Sequence, residues 1–153
     1  MKKKNKLEYR MYGLVPYQLS GIQKGIQYGH AKDVFGVKKS KVTGYKQWVT
    51  KDMTYIILNG GTTNTNSLRL GTMNIHRETL LKNGIHITCF YEPDLGDQLT
   101  GICFLVDERV FDREKYPDDN GLDPFEDWTI GIEKKELKKI LFLREFLPKF
   151  KLA

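Results

Sequence analysis

The 153-residue sequence contains no long hydrophobic run, only two cysteines and only three histidines. Without an apolar stretch of about 18 residues, a transmembrane helix is not expected. No apolar segment follows the lysine-rich residues 2–6 to complete a signal peptide. Two cysteines cannot form a disulfide framework, and no zinc-finger spacing is present. These absences predict a cytoplasmic protein without membrane contact, metal site or cofactor.

The composition is that of an ordinary globular chain. Hydrophobic residues make up 40% of the sequence and charged residues 29%, which excludes a disordered class. The length is typical of one domain and is sufficient for a hydrophobic core without disulfide bonds.

The formal net charge of +6 is distributed unevenly. Residues 107–127 hold nine acids and three basic groups, whereas basic groups outnumber acids in the rest of the chain. A basic surface attracts polyanions, so tRNA, another nucleic acid or a nucleotide is the predicted partner. Lysines that only maintain solubility are the alternative. The acidic insert and the tail after it could also serve a protein partner, or the tail could simply cover the core.

Hydrophobic patterning predicts an α/β fold with the element order β-α-(α)-β-α-β-β and a C-terminal helix. Strands are predicted at 10–16, 54–59, 85–91 and 99–106, and helices at 21–34, 45–49, 72–83 and 133–147. This order implies a three-layer-type sandwich around a four-stranded mixed sheet, because helical crossovers suit parallel neighbours and the last two strands can form a hairpin. Strand 54–59 is apolar on both faces and is predicted to be central.

Two parts are predicted along the chain. Residues 9–106 form the α/β domain, and residues 107–153 form an acidic insert and a basic amphipathic tail helix that packs on or beside it.

The first helix carries the clearest local signals. Ser20 and Gln23 have the spacing of a capping box, which starts a helix at residue 21. Gly25 and Gly29 lie four residues apart and predict the close approach of another backbone. The core-facing side is predicted from an apolar stripe at every fourth position: Ile22, Ile26, His30 and Val34.

Residues 22–31, directly after the first strand, resemble the first-helix signature of the type 2 peptidyl-tRNA hydrolase family. That signature has Gly-Lys at the helix start, then Gln, two residues and His-Ala; Gln27, His30 and Ala31 match its spacing. The element order also matches over residues 9–106. In an ungapped alignment the family's lysine falls on Gln23, and Lys24 lies one step, about 100°, further round the helix.

The resemblance implies hydrolysis of the ester between peptide and tRNA, or of a related ester. Such a reaction needs a positioned water and donors for the carbonyl oxygen. By resemblance, Glu92 or Asp94 would orient the water, and His30 and Thr100 would donate to the ester or ribose. Gln23, Lys24 and Gln27 would bind substrate.

The sequence departs from the family after the third strand. The family's Asp-x-Gly-x-Thr segment corresponds here to residues 92–97, Glu-Pro-Asp-Leu-Gly-Asp, without the early threonine. A non-catalytic RNA- or nucleotide-binding module on the same fold is therefore the alternative. The same residues also suit plainer roles, as a half-buried helix histidine, a solvated acidic turn and a strand-forming threonine.

A polar connection follows strand 54–59 and is predicted to bind phosphate. Its glycines would let consecutive amides point at one anion, at the carboxyl end of a strand, although the Gly-Lys-Ser/Thr ending of a P-loop is absent. A mobile polar loop is the alternative. The candidate phosphate-binding residues are Gly60, Gly61, Thr62 and Asn64.

Overall fold

A four-stranded mixed sheet forms the centre of the computed structural model, which describes residues 6–63, 70–118 and 127–153. The strands are β1 (Tyr9–Pro16), β2 (Thr54–Gly61), β3 (Thr88–Glu92) and β4 (Gln98–Asp107). Their spatial order is β2-β1-β4-β3. β1 and β2 are parallel, whereas β4 runs antiparallel to both β1 and β3. The predicted α/β fold with a mixed sheet is confirmed.

Helices cover both faces of the sheet. They are α1 (Gly21–Lys38), α2 (Tyr45–Gln47), α3 (Thr72–Lys82), α4 (Glu108–Phe111) and α5 (Lys134–Phe146). A π-helical turn, Trp48–Asp52, continues α2. One core lies between the sheet and α1, and it includes Phe35 and Trp48. The other lies on the opposite face and includes Leu80 of α3 and Leu143 of α5. The three layers are therefore α1–α2, sheet and α3–α5.

The start of α1 is as predicted, but its buried face is not. Ser20 accepts from the Gln23 amide and the Gln23 side chain accepts from the Ser20 amide, which completes the capping box. Ile22 and Ile26 are 80% and 50% exposed, so the predicted apolar stripe faces solvent and that prediction is wrong. The face that packs on the sheet consists of Gln27, Tyr28, Ala31 and Phe35.

The glycines of α1 have no close neighbour. A Cβ added at Gly25 or Gly29 would meet nothing within 4 Å, which contradicts the predicted approach of another backbone. The backbone approach instead comes from the sheet, where glycines of β1 and β4 lie against α1. A Cβ at Gly13 would lie 2.3 Å from the Tyr28 ring, and one at Gly101 would lie 2.6 Å from the Gln27 carbonyl oxygen.

Two predictions about the strands are corrected. β2 is an edge strand, not a central one. β2 and β3 are connected by a helical crossover, which suits parallel neighbours, but they lie at opposite edges of the sheet. β2 is apolar on both faces because helices cover both. Its outer edge is covered as well, since Leu58 forms an antiparallel bridge with Leu152. β3 starts at Thr88, three residues later than predicted, although Ile85 and Ile87 are buried before it.

Residues after the acidic insert belong to the same core as the sheet. Ile140, Leu143 and Phe146 of α5 are buried in the core of the α3–α5 face. Arg144 is also buried, and its guanidinium donates to the carbonyl oxygens of Arg109 and Tyr116 at 2.9 Å. Within the described ranges, no helix has the length and hydropathy to cross a membrane.

The strand directions bring several chain segments to one end of the sheet. β1, β2 and β3 all end there and β4 begins there, at Pro16, Gly61, Glu92 and Gln98. We call this the carboxyl end of the sheet. The opposite end, where β1 begins and β4 ends, is called the amino end.

Candidate active site

A buried amide joins α1 to β3 and β4 at the carboxyl end of the sheet. Gln27 is only 7% exposed. Its Nε2 donates to Glu92 Oε2 at 2.7 Å, and its Oε1 accepts from the Thr100 hydroxyl. Three residues that the family resemblance singled out are thus brought into one hydrogen-bonded network from positions up to 73 residues apart.

Thr100 reaches this network because of a β-bulge. Consecutive residues of β3 pair with Gly101 and Leu99 of β4, so Thr100 is the extra residue between them. Regular alternation would place Thr100 on the same side as Ile102, in the α3–α5 core. The bulge instead sends Leu99 into that core and directs Thr100 toward α1. Bulges often re-aim side chains in this way beside functional sites.

The chemistry of the partners fixes the direction of each hydrogen bond. The Glu92 carboxylate can only accept, so the Gln27 NH₂ group must face it. The Gln27 carbonyl oxygen then faces Thr100, which must donate its hydroxyl proton. Thr100 is also fully buried. It therefore positions Gln27 and has no proton to offer an ester in this conformation, which differs from the donor role implied by the resemblance.

Glu92 is held as a charged, oriented carboxylate. The hydrogen bond from Gln27 lowers the pKa of Glu92, and the Asp94 amide and the nearby His30 lower this pKa further. The Asp94 amide donates to Glu92 Oε1 at 3.2 Å. Each carboxylate oxygen has further lone pairs, so Glu92 can accept a hydrogen bond from a water while remaining ionised. A depressed pKa favours orienting a water over removing its proton fully.

Asp94 has a different place from Glu92. It lies in the exposed 3₁₀ turn Pro93–Leu95, and its backbone amide, not its carboxylate, joins the network. The sequence left open whether Glu92 or Asp94 would orient a water. The geometry favours Glu92 for this role.

His30 lies beside Glu92 and is accessible to solvent. Its ring stacks on Phe90, with centroids 4.4 Å apart and planes inclined by 27°. Phe90 precedes Glu92 by two residues on β3, so both side chains lie on the α1 side of the sheet. Among the described residues no protein group is hydrogen-bonded to the His30 ring. The imidazole is thus held in place by stacking, with its nitrogens available. The sequence did not predict Phe90 as a residue of the site. The only signal for it was its spacing of two residues from both Thr88 and Glu92, which places all three on one face of the strand.

The two candidate substrate-binding residues in the first turn of α1, Gln23 and Lys24, are placed differently. Gln23 lies at the family's lysine position, but its side chain caps α1. Lys24 is half-buried and lies three and seven residues before Gln27 and Ala31, on the sheet-facing side of the helix. The displaced lysine therefore lies on the same side of α1 as the network, one turn from Gln27.

The glycine loop after β2 lies at the same end of the sheet, but two of its amides are occupied within the protein. The Gly61 amide donates to the Asn59 side chain and the Thr62 amide donates to the Thr72 hydroxyl. A Cβ at Gly60 would lie 2.2 Å from the Met73 sulfur. These residues close the connection to α3, and the amides of Gly61 and Thr62 are committed to that connection. Asn64 lies outside the described residues.

A scan against models of protein families and a search of curated proteins found no match to this chain. Function is therefore inferred from the geometry of the site. The Glu92 carboxylate, a hydrogen-bond acceptor, lies beside the accessible imidazole of His30. Gln27 holds this carboxylate by a hydrogen bond, and Thr100 in turn holds Gln27. The pair of Glu92 and His30 can bind a water and a polar substrate group at the same time.

Proposed function

We propose that the protein hydrolyses the ester between a peptide and tRNA, or a closely related RNA ester. The observation that carries this proposal is the network in which Gln27 joins Thr100 to Glu92 beside His30. Its members come from the segments whose motif resembles the type 2 peptidyl-tRNA hydrolases. The excess of basic groups outside residues 107–127 suits a tRNA substrate. Because peptidyl-tRNA forms during translation, a cytoplasmic location is part of this proposal.

In the proposed reaction, Glu92 accepts a hydrogen bond from the attacking water and directs its oxygen at the ester carbonyl carbon. The new bond joins the water oxygen to that carbon, and the bond from the carbon to the ribose oxygen breaks. His30 donates its N–H to the ester during attack and gives this proton to the leaving ribose oxygen. The proton lost by the water replaces it on the imidazole, so Glu92 and His30 both end unchanged.

Gln27 and Thr100 act as positioning residues in this scheme. They do not touch the ester, because both side chains are buried. Their hydrogen bonds hold one carboxylate oxygen and keep Glu92 charged, so little reorganisation is needed when the water attacks. Lys24, one turn earlier on α1, would meet a phosphate of the bound tRNA.

A non-catalytic RNA-binding module is the second candidate. The observation that favours it is the full burial of Thr100, whose proton is committed to Gln27, together with the displacement of the lysine to residue 24. In that case the fold and the basic surface would bind RNA without cleaving it.

Turnover of an N-acetyl-aminoacyl-tRNA tests the hydrolase directly. Release of the N-acetyl amino acid above the uncatalysed background supports the proposal, and release at the background rate contradicts it. A salt titration of tRNA binding then tests the second candidate, since phosphate contacts make binding weaken steeply with salt. A flat dependence contradicts both candidates.

A further inference from the structure

A large cavity opens at the amino end of the sheet, away from the network. Its volume is about 720 Å³, and the end of α1, the loop before β3, the end of β4 and α5 line it. It is strongly basic. The cations that line it are Lys38, Lys39, Lys41, Arg109, Lys135 and Lys139.

The acids that line this cavity neutralise only part of that charge. They are Asp107, Glu133 and Glu136. Arg109 binds Asp107 at 2.9 Å and Glu136 at 2.7 Å, so two of the three acids are already paired with the one arginine. Among residues 6–63, 70–118 and 127–153, none of the five lysines of the cavity forms an ion pair. The cavity therefore holds a surplus of unpaired positive charge.

A second basic cavity adjoins the first. Its volume is about 510 Å³, and Lys6, Lys46 and Lys51 line it. Tyr9, the first residue of β1, lines both cavities, so they are neighbours. We call the two cavities together the lysine groove. These three lysines also form no ion pair with any described residue.

The positive charge in the groove acts on the pKa of His86, which lines the larger cavity. Its pKa is lowered first by partial burial and then by the charges of Lys139 and Lys39. Those two lysines come from α5 and from the end of α1, so positive charges from two separate elements lie near His86. Like charges held together in this way are stabilised by a bound anion.

We propose that the lysine groove binds the phosphate backbone of RNA. Its eight lysines come from several chain segments and extend over two neighbouring cavities, which suits a polyanion with regularly repeated charges better than a single phosphate. The groove is separate from the Glu92–His30 site. Lys38 follows His30 by eight residues, which is about 12 Å along α1. One RNA could therefore contact both places, and this last point alone rests on the proposed hydrolase function.

The test measures binding of a fluorescently labelled single-stranded RNA of about twelve nucleotides, without any ester, over a range of salt. The double variant Lys39→Gln/Lys139→Gln removes two cations of the groove. Lys82→Gln/Lys138→Gln is the matched control, because it removes the same charge at exposed positions outside the groove. At about 0.15 M salt the groove variant is expected to bind about tenfold more weakly, and its salt slope should fall by about 1.4. The control should stay near wild type.

Equal losses in both double variants would overturn the proposal, because they would show a general charge effect. No RNA binding by the wild type at low salt would also overturn it. Uridine monophosphate and vesicles containing phosphatidylserine serve as competitors. Displacement of the RNA by the mononucleotide at equal phosphate concentration, or tighter binding to the vesicles, would assign the groove to another ligand. Because the RNA carries no ester, failure of this test is distinct from failure of the hydrolase assay.

Discussion

The Gln27 side chain donates to Glu92 across 65 residues of sequence, at 2.7 Å. This single contact joins α1 to the end of β3 and holds a charged carboxylate at the carboxyl end of the sheet. It also sets the direction of the Thr100 hydrogen bond behind it.

Replacing Gln27 with leucine should have two effects, one on the stability of the fold and one on the pKa of Glu92. The Thr100 hydroxyl would lose its acceptor in a buried site, which costs about 1–3 kcal/mol of unfolding free energy. The pKa of Glu92 should rise toward its ordinary value because its first donor is lost. Urea unfolding and NMR titration of the Glu92 carboxyl measure the two effects.

Thr100→Val provides the control for that variant. It removes the hydroxyl but leaves the hydrogen bond from Gln27 to Glu92 in place. Stability should fall while the pKa of Glu92 stays near that of the wild type. A large rise of the Glu92 pKa in Thr100→Val, with none in Gln27→Leu, would show that the network is wrongly assigned.

Acid should weaken the fold through Glu92. Its folded pKa lies below the ordinary value of 4.5, so the unfolded chain binds protons more readily than the folded one. The stability that Glu92 contributes is therefore present above about pH 4.5 and is lost as pH falls through the lower, folded pKa. Urea unfolding at several pH values should show a smaller acid loss in Glu92→Gln than in the wild type. Parallel curves for the two proteins would refute this linkage.

A pair of glycines tests how α1 sits on the sheet. Gly101→Ala places a Cβ 2.6 Å from the Gln27 carbonyl oxygen, which is backbone and cannot rotate away. The helix must move, at a cost of about 1–3 kcal/mol. Gly25→Ala meets nothing within 4 Å and should stabilise the protein by about 0.5–1 kcal/mol, because alanine favours a helix interior. Opposite signs in urea unfolding are expected, and similar losses in both variants would contradict this packing.

The tail helix should prove essential to the core. Leu143 is buried on α5, and Leu143→Ala should lower the unfolding free energy by about 2–5 kcal/mol. Leu141 is 46% exposed on the same helix, and Leu141→Ala should change it by less than about 1 kcal/mol. Equal, small effects of both substitutions in urea unfolding would mean that α5 is not part of the core.

Signals that depend on a few neighbouring residues were read correctly from the sequence. The capping box of Ser20 and Gln23 starts α1 where predicted. The helix predicted at 72–83 is also observed, since α3 ends at Lys82 and is followed by Gly84 in the left-handed region at φ +74°. Both depend on contacts within one turn of helix. Local chemistry decides them before any tertiary packing forms.

The buried face of α1 could not be read in the same way, because the sheet decides it. Gly13 leaves a space on β1 that the Tyr28 ring fills, and this turns Ile22 and Ile26 to solvent. Thr100 was a candidate from the sequence, but the bulge that turns it toward Gln27 is a property of the pairing between two strands. Its role as a positioning residue followed only from the geometry.

The central claim is that Glu92, held by Gln27, orients the water that cleaves an RNA ester. Single-turnover hydrolysis of N-acetyl-aminoacyl-tRNA by Glu92→Gln and Asp94→Asn tests it most directly. Asp94→Asn keeps the backbone amide that donates to Glu92 and should retain nearly the wild-type rate. Glu92→Gln should be slower by about a hundredfold or more, with folding checked by urea unfolding. Equal rates for Glu92→Gln and the wild type would contradict the account.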